Sequence, residues 1–176
     1  MVKPVFLERL LVVLAGTVIL AFLSLPWAFC QETGVGEASF HNQQGMDYFK
    51  KGFYDHAPKN QVVEAQKNYV FAVKEFKAAI SRDVSYTDAH RNLARLFYVQ
   101  KNFDGAAEEY KRVTELAPSD LDAYVNLALA LIELKRLDEA ILALESAKGQ
   151  TFDPKALDTL DSYIAKIRAL QAKEVR

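Results

Sequence analysis

Ala72, Ala106 and Ala140 lie 34 residues apart. Four positions after each stands a large apolar or aromatic residue: Phe76, Tyr110, Leu144. Three before each is another, Tyr69, Phe103, Leu137, and seven after come Ala79, Val113 and Ala147. A second set keeps the same step, pairing His90 with Tyr124, Leu93 with Leu127, Ala94 with Ala128 and Phe97 with Leu131. A fixed period of this length confines the chain to an array in which each unit is one supersecondary element. Such a unit buries its apolar face only against its neighbours.

Within each unit the apolar residues fall at helical spacing. Leu93, Ala94 and Phe97 mark one face of a first helix, and Ala106, Tyr110 and Val113 one face of a second. Between them, Lys101-Asn102-Phe103-Asp104 carries residues that favour helix caps. Small residues at Ala94, Ala106, Ala128 and Ala140 let two axes approach, and the large residues three or four away fill the grooves beside them. The pattern predicts an all-α array of antiparallel helix pairs.

The units DAHRNLARLFYVQKNFDGAAEEYKRVTELAPSD and DAYVNLALALIELKRLDEAILALESAKGQ resemble the tetratricopeptide repeat (TPR) family. The resemblance covers roughly residues 39–176. It implies a right-handed α-solenoid of three TPR helix pairs plus a C-terminal capping helix, with units at 39–86, 87–120 and 121–154 and the cap at 155–175. Residues 31–38 are expected as a short linker.

Three departures from the repeat pattern are visible. From Tyr48 to Ala72 is 24 residues where Phe97 to Ala106 is 9, which places an insertion of 15 at Phe53–Lys67. There Asp55-His56-Ala57-Pro58 must break a helix, and Asn60 to Lys67 extend the second helix towards its N-terminus. Both a tolerated surface insertion and a projecting element that contacts a partner fit. Val84 stands where Pro is usual in the family, and Ser85 or Thr87 is expected to cap the next helix. Finally, Asp153-Pro154 makes a helix start, followed by Leu157, Leu160, Ile164, Ile167 and Leu170 on one face, as a capping helix requires.

Residues 1–30 read as a targeting segment. Lys3 and Arg9 flank an uncharged apolar run from Leu10 to Leu25, and Ala28-Phe29-Cys30 follows Pro26. A charged head, an apolar middle and small residues before a cut describe a secretory signal peptide cleaved after Cys30. With Pro26 to Phe29 the stretch also reaches the length a bilayer core needs, so an uncleaved anchor fits too. A lipoprotein acylated at Cys30 is a third reading, against which the bulky Phe29 speaks. Each exports the remainder to the periplasm, cell envelope or extracellular space, with contact to a membrane only through residues 1–30 if they are retained.

Lys and Arg total 22 against 23 Asp and Glu, a net charge of −1. No basic surplus is available for nucleic acid. A single Cys excludes a disulfide framework and a thiolate zinc site. No haem-attachment, phosphate-loop or zinc-protease motif is present, so no cofactor or metal is expected. His41, His56 and His90 are far apart in sequence, and His90 takes the place of Tyr124, as a packing residue would. No nucleophile, base and orienting group are marked as one catalytic set. The expectation is a non-enzymatic protein.

The resemblance implies a concave groove lined by the first helix of each unit. Residues off the buried stripe should point there: Asn42, Gln43, Met46, Phe49 and Lys50 in the first unit, Asp88, Arg91, Asn92, Arg95, Tyr98 and Val99 in the second, Asp122, Val125, Asn126, Leu129 and Glu133 in the third. Asn92 and Asn126 are 34 apart, and Gln43 comes from the matching place in the first unit. In the family an amide there often holds the backbone of an extended ligand, which it can do with one donor and one acceptor. Arg91 and Arg95, one turn apart, could meet a carboxylate. The neighbouring Asp122 and Val125 do not complete the family's two-carboxylate clamp. The candidate binding set is therefore Gln43, Arg91, Asn92, Arg95, Tyr98 and Asn126. The function implied is a scaffold or adaptor of the cell envelope that holds a protein or peptide partner. Two alternatives stand beside it: a structural subunit of a larger envelope or surface complex, docking by its outer face or by residues 53–67, and an assembly chaperone for exported proteins. The oligomeric state is open.

Overall fold

The computed structural model describes residues 35–174, so the targeting segment expected at residues 1–30 lies outside the described residues. Seven α-helices follow one another here. α1 covers residues 35–50 and runs on into a π-helical stretch, Lys51–His56, and a 3-10 turn, Ala57–Lys59. α2 is Val62–Arg82, α3 Thr87–Val99, α4 Phe103–Leu116, α5 Leu121–Glu133, α6 Leu137–Lys148 and α7 Pro154–Glu174. Each helix packs chiefly on the next, as a linear stack demands. Residues 35–38 were expected in a linker; they are helical, and Ala38 is fully buried.

The three intra-unit turns share one geometry. Asn60, Lys101 and Lys135 have φ of 57°, 60° and 60°. After α3, the Lys101 amide donates to the Tyr98 carbonyl and the Asn102 amide to that of Phe97. After α5, Lys135 and Arg136 repeat this with Ile132 and Leu131, and Asn60 and Gln61 with Ala57 and His56. This pair of bonds satisfies the last helical carbonyls through one left-handed residue. Side-chain caps then open the next helix: Asn102 Oδ1 accepts from the Gly105 amide at 3.1 Å, and Asp120 Oδ1 from that of Ala123 at 3.2 Å. α3 departs from expectation. Neither Ser85 nor Thr87 caps it; Asp83 instead accepts from the amide and hydroxyl of Ser85, while Thr87 donates to the Ser85 carbonyl.

The insertion is no separate loop. It lengthens both arms of the first hairpin, so that α2 has 21 residues where α4 has 14. Two glycines seven residues apart on the first arm allow the arms to meet. A Cβ on Gly45 would stand 2.6 Å from the Phe76 ring, and one on Gly52 would stand 2.7 Å from that of Tyr69. Gly45 thus occupies the small-residue place of Ala94 and Ala128, taken to its limit.

The core divides at α3. Leu93 and Leu96 are fully buried against Phe49, Tyr69, Ala72 and Phe76 of the first hairpin. Ala94 belongs with α4 to α7, where Tyr110, Leu127, Leu131, Leu144, Leu160, Ile164 and Ile167 are buried. Burial of each large side chain contributes about 1.5–3 kcal/mol. In the first unit the places of Leu93 and Leu96 hold Gln44 and Asp47, so the side of α1 turned away from the stack mixes these polar groups with the exposed Phe40. At the other end α7 covers α6 with Leu160, Ile164 and Ile167, each 3% exposed. Among the described residues no helix is long and apolar enough to cross a membrane.

Candidate functional site

α3 and α5 lie side by side and leave a cavity of about 700 Å³ between them. Arg91, Asn92, Arg95, Tyr98 and Asn126 all line it, together with Val99, Asp122 and Leu129 from the expected set. It also takes in Tyr110 and Asp120, which the sequence reading left out.

Gln43 is the exception. It is exposed and donates to Asp47 on its own helix at 3.0 Å. The first-unit amide that reaches the row is Asn42, whose Oδ1 accepts from Asn92 Nδ2 at 2.9 Å. Matching repeat places are equivalent within each unit but do not touch across units. The contact between α1 and α3 runs between places one residue apart. Phe49, expected to point into the groove, is 2% exposed and lies beneath Arg95, whose guanidinium carbon is 5.5 Å from its ring centre.

The two arginines differ in availability. Arg91 donates to Asp88 at 2.5 Å and to Asp120 Oδ2 at 2.7 Å. Asp120 therefore caps α5 with one oxygen and ties α3 to α5 with the other. The two carboxylates hold the guanidinium above its usual range against the opposing effect of burial. Arg91 is thus a bridge within the stack, not the ready carboxylate receptor its spacing suggested. Arg95 is exposed, rests on Phe49, and has no ion-pair partner among the described residues. Two cations, Arg91 and Arg95, face two carboxylates, Asp120 and Asp122, across this cavity. Its charge is balanced and its recognition is left to amides, hydroxyls and Arg95.

The tyrosines are fixed donors. Burial pushes the Tyr110 hydroxyl up to about 12, with Arg95 and Arg91 acting in the opposite direction. Burial, with Glu133 nearby, also raises that of Tyr98, whose ring meets Phe103 edge-on at 5.3 Å. Both stay protonated at physiological pH and can donate to a carbonyl or carboxylate.

Leu129 is shared with a second hollow of about 310 Å³ between α5 and α7. Val125, Ala128, Ile132, Leu144, Tyr163, Ile167 and Leu170 line it, with Lys166 5.4 Å from the Tyr163 ring centre. The trough is therefore polar between α3 and α5 and apolar between α5 and α7. The capping helix supplies a wall of the apolar part, a role its amphipathic spacing alone did not disclose.

Two histidines on the second-helix side are also accounted for. His90 Nδ1 is 2.6 Å from Glu109 Oε2 and His90 Nε2 is 3.2 Å from the Val84 carbonyl. Both partners are acceptors, so a protonated ring can satisfy the two together. The Glu109 bond raises its pKa, against desolvation. His41 Nδ1 meets Glu75 Oε2 at 2.7 Å. Among the described residues no group of His, Cys, Asp and Glu is arranged to hold a metal ion.

No curated protein matches the sequence. Solved structures do. The first TPR of Spaghetti bound to the HSP90 peptide SRMEEVD aligns with a TM-score of 0.57 at 20% identity, over 78% of this chain and 98% of that one. The TPR2B domain of yeast Sti1, in its pHsp70 complex, gives 0.58 at 20% identity over 76% and 98%. The Arabidopsis OM64 TPR domain gives 0.56 at 16% identity, also over 76% and 98%. At these identities the likeness is one of fold. Two family models described as tetratricopeptide repeat match residues 65–120 and 100–172. Together they span more than half of the sequence, and the chain belongs to the tetratricopeptide repeat family.

Proposed function

We propose that this chain is an exported, non-enzymatic interaction scaffold of the cell envelope that holds an extended segment of a protein partner in its concave trough. The observation that carries the reading is the continuity of the trough. Asn92, Asn126, Tyr98 and Arg95 border the polar cavity, and Leu129 passes directly into the apolar hollow. Amides and hydroxyls suit a peptide backbone, and the hollow suits one bulky apolar side chain. Proteins of the same fold are seen with peptides: Spaghetti's first TPR is bound to the HSP90 peptide SRMEEVD. That peptide is rich in carboxylates. With Arg91 already committed to Asp88 and Asp120, the partner here is a less acidic segment that presents an apolar residue beside at most one carboxylate for Arg95. Export rests on the apolar run Leu10–Leu25.

The test is site-specific photocrosslinking of the full chain in its native membranes. A crosslinker at position 126 should trap a partner whose crosslinked peptide is extended and carries an apolar residue. Asn92→Ala with Leu129→Asp should lower the yield at least about tenfold, the loss of roughly one hydrogen bond and one apolar contact. An unchanged yield refutes groove binding. A second reading, docking through the lengthened first hairpin, is favoured by the exposed Tyr54 and Val62 near its tip. It predicts crosslinks from position 54 and none from 126.

A further inference from the structure

The outer side of α2 carries lysines and apolar residues in one stripe. Taking about 100° per residue, Val63, Lys67, Val70, Lys74 and Lys77 fall within about 80° of arc. All five are exposed, Val63 at 75% and Val70 at 57%. Phe71, 39% exposed and stacked on Tyr48 with ring centres 5.2 Å apart, flanks them. The nearest acids on this helix, Glu64 and Glu75, lie roughly 100° or more from the centre of the stripe, and Glu75 is turned in to His41. None of the three lysines has an ion-pair partner among the described residues. By contrast Arg82, at the end of the same helix, is paired with Glu37.

We infer that this face of α2 is a docking surface for an anionic lipid bilayer. Lysines interleaved with apolar side chains, without a carboxylate among them, match a surface that offers phosphate headgroups above an acyl layer. Their stems lie along the apolar positions while the ammonium groups reach outward. The chain outside the described residues favours this occupant over a protein. Nine residues, 26–34, separate the apolar run from the start of α1. They span at most about 30 Å even fully extended, which keeps α2 within reach of any bilayer that takes up Leu10–Leu25. Docked through α2, the domain would present the trough between α3, α5 and α7 away from the lipid.

The full chain carrying Trp27→Phe and Val70→Trp tests this. It is mixed with vesicles of brominated phosphatidylcholine, with or without about 30% phosphatidylglycerol, and indole quenching is read. Quenching of roughly threefold or more on the anionic vesicles, absent on the zwitterionic ones and reversed in about 0.5 M salt, is expected. Lys67→Glu with Lys74→Glu and Lys77→Glu should abolish it, with an unchanged helical circular dichroism spectrum confirming the fold. An indole placed by Leu142→Trp, on the outer side of α6, should stay unquenched throughout. Equal emission from the Val70→Trp variant on both vesicles, or quenching that survives the charge reversal, overturns the inference. Neither outcome bears on crosslinking from position 126, so this surface and the trough stand or fall separately.

Discussion

His90 and Glu109 form a pair that the preceding repeat duplicates. Their contact is 2.6 Å, and Glu75, 34 residues before Glu109, takes His41 at 2.7 Å. The sequence separations are 19 and 34, and the difference is the 15-residue insertion between the arms of the first hairpin. The third repeat replaces the pair with Tyr124 and Ala143.

The second repeat's pair makes stability depend on pH. The folded pKa of His90 lies above its unfolded value, with the Glu109 hydrogen bond as the main cause. Its contribution is therefore complete below about 6.5 and is lost as pH rises through the folded value. Urea unfolding between pH 5 and 9 should show stability falling over that interval. Glu109→Gln should cost about 1.5–3 kcal/mol at the acid end, as removal of a charge-assisted hydrogen bond does, and flatten the dependence. A slope unaffected by Glu109→Gln would contradict the assignment.

Arg91 and Arg95 should separate stability from binding. Arg91 spans α3 and α5 through Asp120, so Arg91→Ala is expected to lower stability by roughly 1 kcal/mol, the scale of a partly exposed ion pair. Arg95 is exposed over Phe49, and Arg95→Ala should leave the unfolding free energy within about 0.5 kcal/mol of wild type while weakening capture of the partner. Parallel denaturation and crosslinking on the two variants would show whether the roles divide this way.

Gly45→Ala should destabilise, although alanine is the better helix former. The substitution gains about 0.8–1 kcal/mol of propensity. Against this, the new methyl would lie 2.6 Å from the ring of Phe76, which is fully buried and has nowhere to move. Overpacking of that kind costs about 1–3 kcal/mol, leaving a net loss of about 1 kcal/mol. Thermal unfolding would read it directly, and Gly45→Ala with Phe76→Leu should recover part of the loss.

Lys101→Gly should stabilise. Lys101 holds φ at 60°, where a side chain costs roughly 1–2 kcal/mol and glycine costs nothing beyond its extra unfolded freedom of about 0.5–1 kcal/mol. A gain of about 0.5–1 kcal/mol in chemical denaturation is expected. Lys101→Val, whose branched side chain suits this region worse, should move the midpoint the opposite way.

How much of this was legible before any coordinates follows from what kind of contact was being read. The period placed α3 to α6 and their turns, because each unit repeats the same local packing of small against large. Asn102, in the turn whose residues favour caps, was legible for the same reason: a cap is a contact within three residues. Gln43 was in register with Asn92, yet Asn42 makes the bond, because the offset between neighbouring units is set by how whole helices stack. The capture of Arg91 by Asp120 was hidden because the second carboxylate oxygen acts sideways, between α5 and α3. The His41–Glu75 pair was hidden because the insertion had to be placed between its partners before its likeness to His90–Glu109 could be seen. Nor could the spacing of Leu170 and Tyr163 alone reveal that α7 walls a hollow as well as sealing a core.

Gln44 and Asp47, standing where the next repeat carries Leu93 and Leu96, have a consequence for assembly. A second molecule that set its α7 against this α1 would meet Gln44 and Asp47 where α3 offers two leucines, and would have to strip water from both polar groups. The two leucines that join α3 to its neighbour thus have no counterpart on α1, and head-to-tail stacking on this face would gain less burial than stacking within the array.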